Sequence, residues 1–416
     1  MRIIVIGSGP AGLYSSLFLS SHAKVTVVEK AERLGGTCTV YGCMPAKSML
    51  YLLHLAEAAA KFAKRFSLSQ EEVRRSAKEA VNRLSKGVEY LLEDAGVEVI
   101  HGRASLRSGK VVINSSQSLE GDGVIVATGT NRPNFPNSIA SDDIPYLERD
   151  VKTAIVVGGG AGGLEYAEIL RDWGSEVYLV EKSDLLLPGS DQDLRVAATN
   201  SFRKKGIKLV LGKTVAKSNE GEVLLSDGSK LKGDVILYSF GRTPNVEGFE
   251  ELSKTGPIRV DSRMYTGVDR VFAAGDVIGT YTAHEAIHEG LVAASNLVGI
   301  EREYNPAAVP KVIYVRPQIA TVGRIEGKSV KINFSQLGRA VSERETEGFL
   351  KLFYEGGRIN GLIVFGERAE ELATLVGLAI THNITLQGIF DTIFPHPSYM
   401  EALWEAVGKA LGYLRG

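Results

Sequence analysis

The sequence predicts an α/β protein with two Rossmann-like units on parallel sheets and a C-terminal α+β unit. Two observations predict the first part. A strand, a G-x-G-x-x-G turn, a helix and a second strand ending in an acid open the chain, and the same series returns from Ala154 onward. A third observation predicts the rest: after Glu303 the pattern changes to short strands followed by two helices.

Composition sets the bounds. With 416 residues, 44% hydrophobic and 23% charged, the chain has room for two or three full cores. A net charge of −1 argues against a nucleic-acid or anionic-membrane surface as the main partner. No apolar run approaches a membrane span.

Arg2 to Ile6 is a β-branched apolar run, as a doubly buried parallel strand requires. Gly7, Gly9 and Gly12 follow in Gly7-Ser8-Gly9-Pro10-Ala11-Gly12, then a helix over Leu13 to Ala23. The strand Val25 to Val28 ends in Glu29, 22 residues after Gly7. Each piece has a task. The first glycine makes the turn, the second lets the backbone approach a pyrophosphate, and the third lets helix and strand pack. The helix N-terminus binds phosphate, and the acid accepts from ribose hydroxyls. These same glycines break the apolar start that could otherwise pass for a secretory leader. The second copy runs from Ala154 to Val157 through Gly158, Gly160 and Gly163 to Val177–Val180 and Glu181, 23 residues after Gly158. Two copies in full context predict two bound dinucleotides. Glu181 repels a 2′-phosphate, which favours NAD(H) at the second site.

Between the copies lie the only two cysteines, in Gly35-Gly36-Thr37-Cys38-Thr39-Val40-Tyr41-Gly42-Cys43-Met44-Pro45-Ala46-Lys47. A disulfide closing so small a ring constrains little of the unfolded chain, so chemistry explains the pair better than stapling. The segment after Cys43 reads as a helix with Pro45 in its first turn. Partial positive charge at that N-terminus favours a thiolate. Cys38 and Cys43 therefore read as a redox-active dithiol/disulfide, suited to a reducing, cytoplasmic compartment. Ser48 to Leu92 reads as two long helices.

Together these residues resemble the flavin-dependent pyridine nucleotide–disulfide oxidoreductases over nearly the whole chain. Gly35 to Lys47, with Gly36 and Thr37 before the first cysteine, looks like the family's redox-disulfide signature. Gly123 to Gly129, including Thr128, looks like the strand that closes the first FAD segment. Gly241-Arg242-Thr243-Pro244-Asn245 is similar to the exit from the NAD domain. Phe272-Ala273-Ala274-Gly275-Asp276 resembles the second FAD motif, whose Asp binds the ribityl chain. The resemblance implies an ion pair of Lys47 and Glu165 beside the flavin, and a helix opened by Ala283 and His284 that faces the flavin pyrimidine. Phe394 to Glu401 resembles the His-Pro-Thr-x-x-Glu motif, with Ser398 in place of Thr. It implies that His396 is the acid/base for a thiol and that Glu401 orients it. In the family this His comes from the other subunit, so the resemblance implies a homodimer with a shared active site.

That organisation gives an FAD-binding domain at 1–148 and 240–303, an NAD(P)-binding domain at 149–239 and a dimerisation domain at 304–416. The strands of the last are expected at Val312 to Val315, Thr321 to Gly323, Phe349 to Tyr354 and Ile359 to Phe365. Its helices are expected at Ala369 to His382 and Ser398 to Leu411.

Three features depart from the family. Val40-Tyr41 replaces Asn-Val between the cysteines, the stretch from Arg324 to Glu345 is short, and the extra cysteine pairs of some relatives are absent. His284-Glu285-Ala286-Ile287-His288 matches the H-E-x-x-H zinc signature, but it falls where the flavin-facing helix should begin, and no metal is expected. His22, His54, His101 and His382 read as surface or packing residues, and Trp173 and Trp404 as helical packing residues.

The expected path runs from NADH through FAD to Cys43, the flavin-proximal sulfur, and from Cys38 to a disulfide substrate. Dihydrolipoamide oxidation runs it backwards. The NAD-type acid favours dihydrolipoamide, as does the lack of an Arg in Leu13 to Ala23 to grip glutathione's carboxylates. The alternatives are a reductase of another small disulfide, of glutathione or CoA type, or a flavin-bearing interaction subunit without turnover.

Overall fold

The computed structural model describes residues 1–60 and 67–415. Along the first half of the chain run β1 (Arg2–Ile6), α1 (Pro10–Leu19), β2 (Lys24–Glu29), α2 (Gly36–Val40), α3 (Cys43–Ala60), α4 (Gln70–Asp94), β3 (Glu98–His101) and β4 (Gly123–Val126). The next elements are β5 (Thr153–Val157), α5 (Ala161–Asp172), β6 (Glu176–Glu181), α6 (Gln192–Lys204), β7 (Lys208–Leu211), β8 (Val235–Tyr238), β9 (Val271–Ala273) and α7 (Ala283–Leu297). The C-terminal part holds β10 (Lys311–Ile313), β11 (Ile319–Gly323), β12 (Lys328–Asn333), β13 (Phe349–Glu355), β14 (Arg358–Phe365), α8 (Ala369–Thr381) and α9 (Glu401–Ala410).

The first parallel sheet has the order β9-β4-β1-β2-β3 and the second β7-β6-β5-β8. Chain returning after the second sheet adds β9 to the edge of the first, beside β4. Ile3 to Ile6 are all nearly fully buried, because helices cover one face of the sheet and an apolar layer around Phe249 and Leu106 covers the other. The glycine turns are built alike in both units. A Cβ on Gly12 would lie 1.8 Å from the Gly7 carbonyl oxygen, and one on Gly163 would lie 1.8 Å from that of Gly158. Only glycine lets each helix sit so close to its strand.

The third sheet is antiparallel, in the order β10-β11-β14-β13-β12, with α8 and α9 packed over it. Strand β12 was not expected from the sequence. Of its six residues only Ile332 is fully buried, so the edge strand carries no apolar run to reveal it. Short helices at Gly338–Glu343 and Leu386–Phe390 also lie outside the expected pattern. The expected helix from Ser398 begins at Glu401, and the strand expected to reach Val315 ends at Ile313. The pair of long helices between Ser48 and Leu92 is present as α3 and α4; its junction, 61–66, lies outside the described residues. Trp173 sits just past α5 rather than within it, buried, with Nε1 donating to Ser175 Oγ at 2.9 Å. Among the described residues no helix is long and apolar enough to cross a membrane.

Candidate active site

A cleft of about 430 Å³ runs along the C-terminal ends of the first sheet, where ligands bind in open α/β folds. Its walls take Gly7, Gly9, Glu29, Gly36, Thr37, Thr128, Gly129, Arg242, Gly275, Asp276 and Ala283 from distant parts of the chain. A Cβ on Gly36 would meet Gly9 Cα at 2.7 Å, so the two glycine-bearing loops touch backbone to backbone beside the cleft. Glu29 is held at the end of β2 by the Ser8 backbone N–H and Ser8 Oγ, each at 2.8 Å, and by the Ala31 N–H at 2.9 Å. Burial raises the Asp276 carboxyl to about 6. Arg242 crosses the cleft wall, donating to Thr130 Oγ1 at 2.9 Å and to Asp142 at 2.7 Å. In the second unit the Glu181 carboxylate accepts from the Gly159 N–H at 2.7 Å and the Ser183 N–H at 2.8 Å. An elongated cleft with a glycine turn at one end and Asp276 along it fits a flavin dinucleotide. The Gly158–Gly163 turn, with open space at Gly160, fits a second dinucleotide.

Cys38 and Cys43 line the same cleft as free, half-buried thiols joined by a hydrogen bond. Cys38 sits in the short helix α2, an element not expected from the spacing of apolar residues, and Cys43 opens α3 as expected. The Cys38 bond and the nearby Lys47 ammonium lower the Cys43 thiol to about 7, against its burial. The same hydrogen bond, together with burial and the Cys43 charge, pushes Cys38 far up. The two sulfurs are thus unequal, with Cys43 the one poised to be thiolate. Between them Val40 is buried and Tyr41 half exposed. The Val40 carbonyl accepts from Tyr146 Oη at 2.8 Å, and the Tyr41 ring meets the Tyr146 ring edge-on.

Lys47 lies one turn into α3 and reaches Glu165 on α5, with Nζ 2.7 Å from Oε2 and 2.9 Å from Oε1. The Tyr314 N–H donates to the same carboxylate at 2.9 Å, and Lys47 sits over the Tyr314 ring, 4.7 Å from its centroid. Helix α7 begins at Ala283 as expected, capped by Thr282. His284 turns away to the Pro310 carbonyl at 2.8 Å, and Glu285 takes Thr282 Oγ1 and Tyr304 Oη. His284 and Glu285 of the H-E-x-x-H segment are thus engaged in capping and packing.

His396 and Glu401 meet at 2.8 Å between Nδ1 and Oε1, and Glu401 Oε2 accepts the Ser398 N–H at 2.7 Å. They lie in the C-terminal unit and do not line the cysteine cleft of their own chain.

His54, read as an ordinary histidine, is not one. Its Nε2 lies 2.7 Å from Oε1 of Glu168, a fully buried carboxylate. His54, Glu168 and Asp172 offer ligand atoms within 4.8 Å of one another, as a metal site would. Lys205 and Arg171 already pair with the two carboxylates, so the cluster is balanced without a cation.

Residues 1–290 match the family model described as pyridine nucleotide-disulphide oxidoreductase, and residues 309–407 match that family's dimerisation domain. This chain belongs to the pyridine nucleotide–disulphide oxidoreductases. As a member of that family it is an NAD-dependent flavin oxidoreductase with FAD and NAD(H) as cofactors. The dihydrolipoyl dehydrogenase of Zymomonas mobilis is 30% identical over 456 aligned residues, covering 99% of this chain and 98% of the relative. That of Staphylococcus aureus is 31% identical over 454, covering 99% and 96%. Two solved structures share the oxidoreductase fold. LpdA from Mycobacterium tuberculosis has a TM-score of 0.91 at 24% identity, covering 99% of both chains. The HOCl-induced flavoprotein disulfide reductase RclA from Escherichia coli has a TM-score of 0.87 at 22% identity, covering 98% and 99%.

Proposed function

We propose that this chain oxidises the dithiol of a dihydrolipoyl group to its cyclic disulfide with NAD⁺, working as a homodimer. The observation that supports it best is the unequal thiol pair: Cys43 beside Lys47 with its thiol lowered to about 7, and Cys38 held as a thiol. FAD is the carrier that would take two electrons from the thiol pair and deliver a hydride to NAD⁺. The glycine turn from Gly7, with Gly36, Thr37 and Asp276, would hold it along the cleft, and the turn from Gly158 with Glu181 would hold NAD⁺.

The remaining steps belong to the protein's own side chains. With the cysteines as a disulfide, a substrate thiolate attacks Cys38, the S–S bond breaks, and Cys43 leaves as the thiolate it is tuned to be. The second substrate thiol loses its proton to His396 and attacks the mixed disulfide. The substrate's own S–S bond forms, and Cys38 leaves as a thiolate that takes the proton back from His396. Lys47 balances the Cys43 charge, and Glu165 holds Lys47. Glu401 fixes His396 through Nδ1, leaving Nε2 for the proton. Because His396 lies outside its own chain's cleft, the site is shared, with His396 of one protomer facing Cys38 of the other. FAD-binding residues at 1–148 and 240–303, NAD-binding residues at 149–239 and an interface unit at 304–416 complete the assignment.

The test is a steady-state panel with dihydrolipoamide and NAD⁺, then lipoamide, glutathione disulfide and CoA disulfide with NADH and NADPH. Turnover at least tenfold faster with the lipoyl pair supports the reading. Equal rates with all three disulfides, or a preference for glutathione or CoA disulfide, removes it.

A further inference from the structure

Two carboxylates on α5 join three parts of the fold. Glu165 accepts from Lys47 on α3 and from the backbone N–H of Tyr314. Three residues further along α5, Glu168 accepts from the Arg316 N–H at 2.9 Å and pairs with His54 on α3 at 2.7 Å. The spacings agree. Residues three apart on one helix share a face, Lys47 and His54 are two turns apart on another, and Tyr314 and Arg316, just past the end of β10, each turn a backbone N–H to α5. The structure is a ladder with two rungs. Its upper rung reaches the reactive thiol, and its lower rung has no part in the chemistry described above.

The lower rung is heavily built for a feature without a task. Glu168 is fully buried, and its other oxygen pairs with Lys205. Arg316 also donates Nη1 to the His54 carbonyl at 3.3 Å and Nε to Glu367 at 3.3 Å. Burial pushes the Asp172 carboxyl up, as does the nearby Glu168 charge, against its Arg171 partner. The His54 side chain is 17% exposed, on a crevice of about 200 Å³ lined by Tyr51, Leu55, Val315, Arg316 and Glu367. The groups around it are thus Glu168, Asp172, Lys205, Arg171, Arg316 and Glu367.

We propose that His54 and Glu168 are positioning residues for the reactive thiol. They fix the roll and register of α3, so that Lys47 stays against Glu165 and Cys43 stays on the cleft. This rests on the assignment of Cys43 as the thiolate beside the flavin. Removing a partner from a buried carboxylate leaves its charge uncompensated at a strong penalty, so α3 has one preferred setting against α5 while both rungs stand.

The experiment reads the long-wavelength thiolate–flavin band of the dithiol-reduced holoenzyme against pH, in wild type and in E168Q, H54L and H54Q. By charge alone, E168Q removes an anion and moves the Cys43 midpoint down. By loss of positioning it moves the midpoint up, because Lys47 is no longer held beside the thiol. The expected result is an upward shift of about half a pH unit or more in E168Q and H54L. H54Q, whose amide N–H replaces the ring donor, recovers most of it. An unchanged or lowered midpoint in E168Q overturns the proposal, even if the protein melts earlier. If E168Q does not fold, H54L against H54Q decides: equal midpoints overturn it. A wild-type protein without the band removes the Cys43 assignment itself, and the proposal with it.

Discussion

Glu401 holds His396 by Nδ1 at 2.8 Å, yet leaves 78% of the ring side chain in solvent. Burial of the Glu401 carboxyl would push it up, but the His396 bond and the Ser398 N–H together hold it below its ordinary value. The histidine is therefore oriented by an ionised partner while Nε2 remains open. An orienting carboxylate is wasted on a surface histidine that meets nothing. Next to it Ile393 is 95% exposed, so this corner of the C-terminal unit presents apolar surface along with the His396–Glu401 pair.

The shared site can be tested by mixing protomers. H396Q and C38S should each lose dihydrolipoamide turnover by at least about a hundredfold, which for His396 is the lower end of the range for a general base. A heterodimer of the two carries one site with both changes and one site with neither. Co-production should therefore restore about a quarter of wild-type activity, since about half the dimers are mixed and each has one intact site. Activity that stays at the level of the single mutants places His396 and Cys38 in the same protomer, or in no common site.

The unequal thiols make a second expectation. C38S should keep the long-wavelength band and lose disulfide turnover, and C43S should lose both. The Cys43 thiol is lowered to about 7 by the Cys38 bond and by Lys47. Its thiolate, and with it the band, should grow as pH rises through about 7. C38A removes the hydrogen bond that contributes most, so its midpoint should move up toward the ordinary thiol range, whereas C38S keeps an O–H donor. Titration of the band between pH 5 and 10 reads both. A midpoint in C38A at or below that of the wild type contradicts the assignment.

How much of this the sequence shows depends on the range of the forces involved. The glycine turns are legible because the constraint is local: any side chain on Gly12 or Gly163 would strike a carbonyl five residues back. The Lys47–Glu165 pair spans 118 positions, and only resemblance to a family brought the two residues together. Glu168 shows the limit. On α5 it looks like one more charged residue of a solvated helix face, and it is buried because the Tyr314–Arg316 segment folds over that face. His54 was missed for the same reason, since its partner lies 114 positions away. Strand β12 was missed because an edge strand with one fully buried residue has no apolar signature. The H-E-x-x-H segment is the converse case, a local pattern whose residues are turned to capping and packing by the fold around them.

Charge around Cys43 should act with opposite signs from the two ends of the upper rung. Lys47 lowers the thiol and Glu165 raises it. K47M should move the band midpoint up, and E165Q should move it down. E165Q keeps an oxygen for the Tyr314 N–H but leaves Lys47 without its anion. The half-buried ammonium then costs about 1–3 kcal/mol of stability. Thermal melting together with the band titration separates the two effects. Midpoints that move in the same direction would show that helix movement, rather than charge, dominates this rung.

Glu289 on α7 is buried, with one carboxylate oxygen accepting from the Gly275 N–H at 2.8 Å and from Thr280 Oγ1 at 3.1 Å. Its other oxygen, Oε1, has no partner among the described residues. Burial raises this carboxyl to about 7, and the nearby Glu285 and Asp276 charges add to the rise. The sign of the pH dependence follows from that. A carboxyl raised in the fold binds its proton more tightly there than in the unfolded chain. Its contribution is fully present below about 4.5, its ordinary value, and is lost as pH rises through about 7. E289Q mimics the protonated form and keeps an acceptor for Gly275. It should match wild type near pH 5 and exceed it by about 1–3 kcal/mol near pH 8. E289A leaves the Gly275 N–H without its acceptor, so it should be less stable at both pH values and hold FAD more weakly, because Gly275 carries Asp276 into the cleft. Paired melts at the two pH values and flavin retention on dilution decide the matter. An E289Q protein with no advantage at high pH would mean that the buried carboxyl is ionised at no cost, against its unpartnered oxygen.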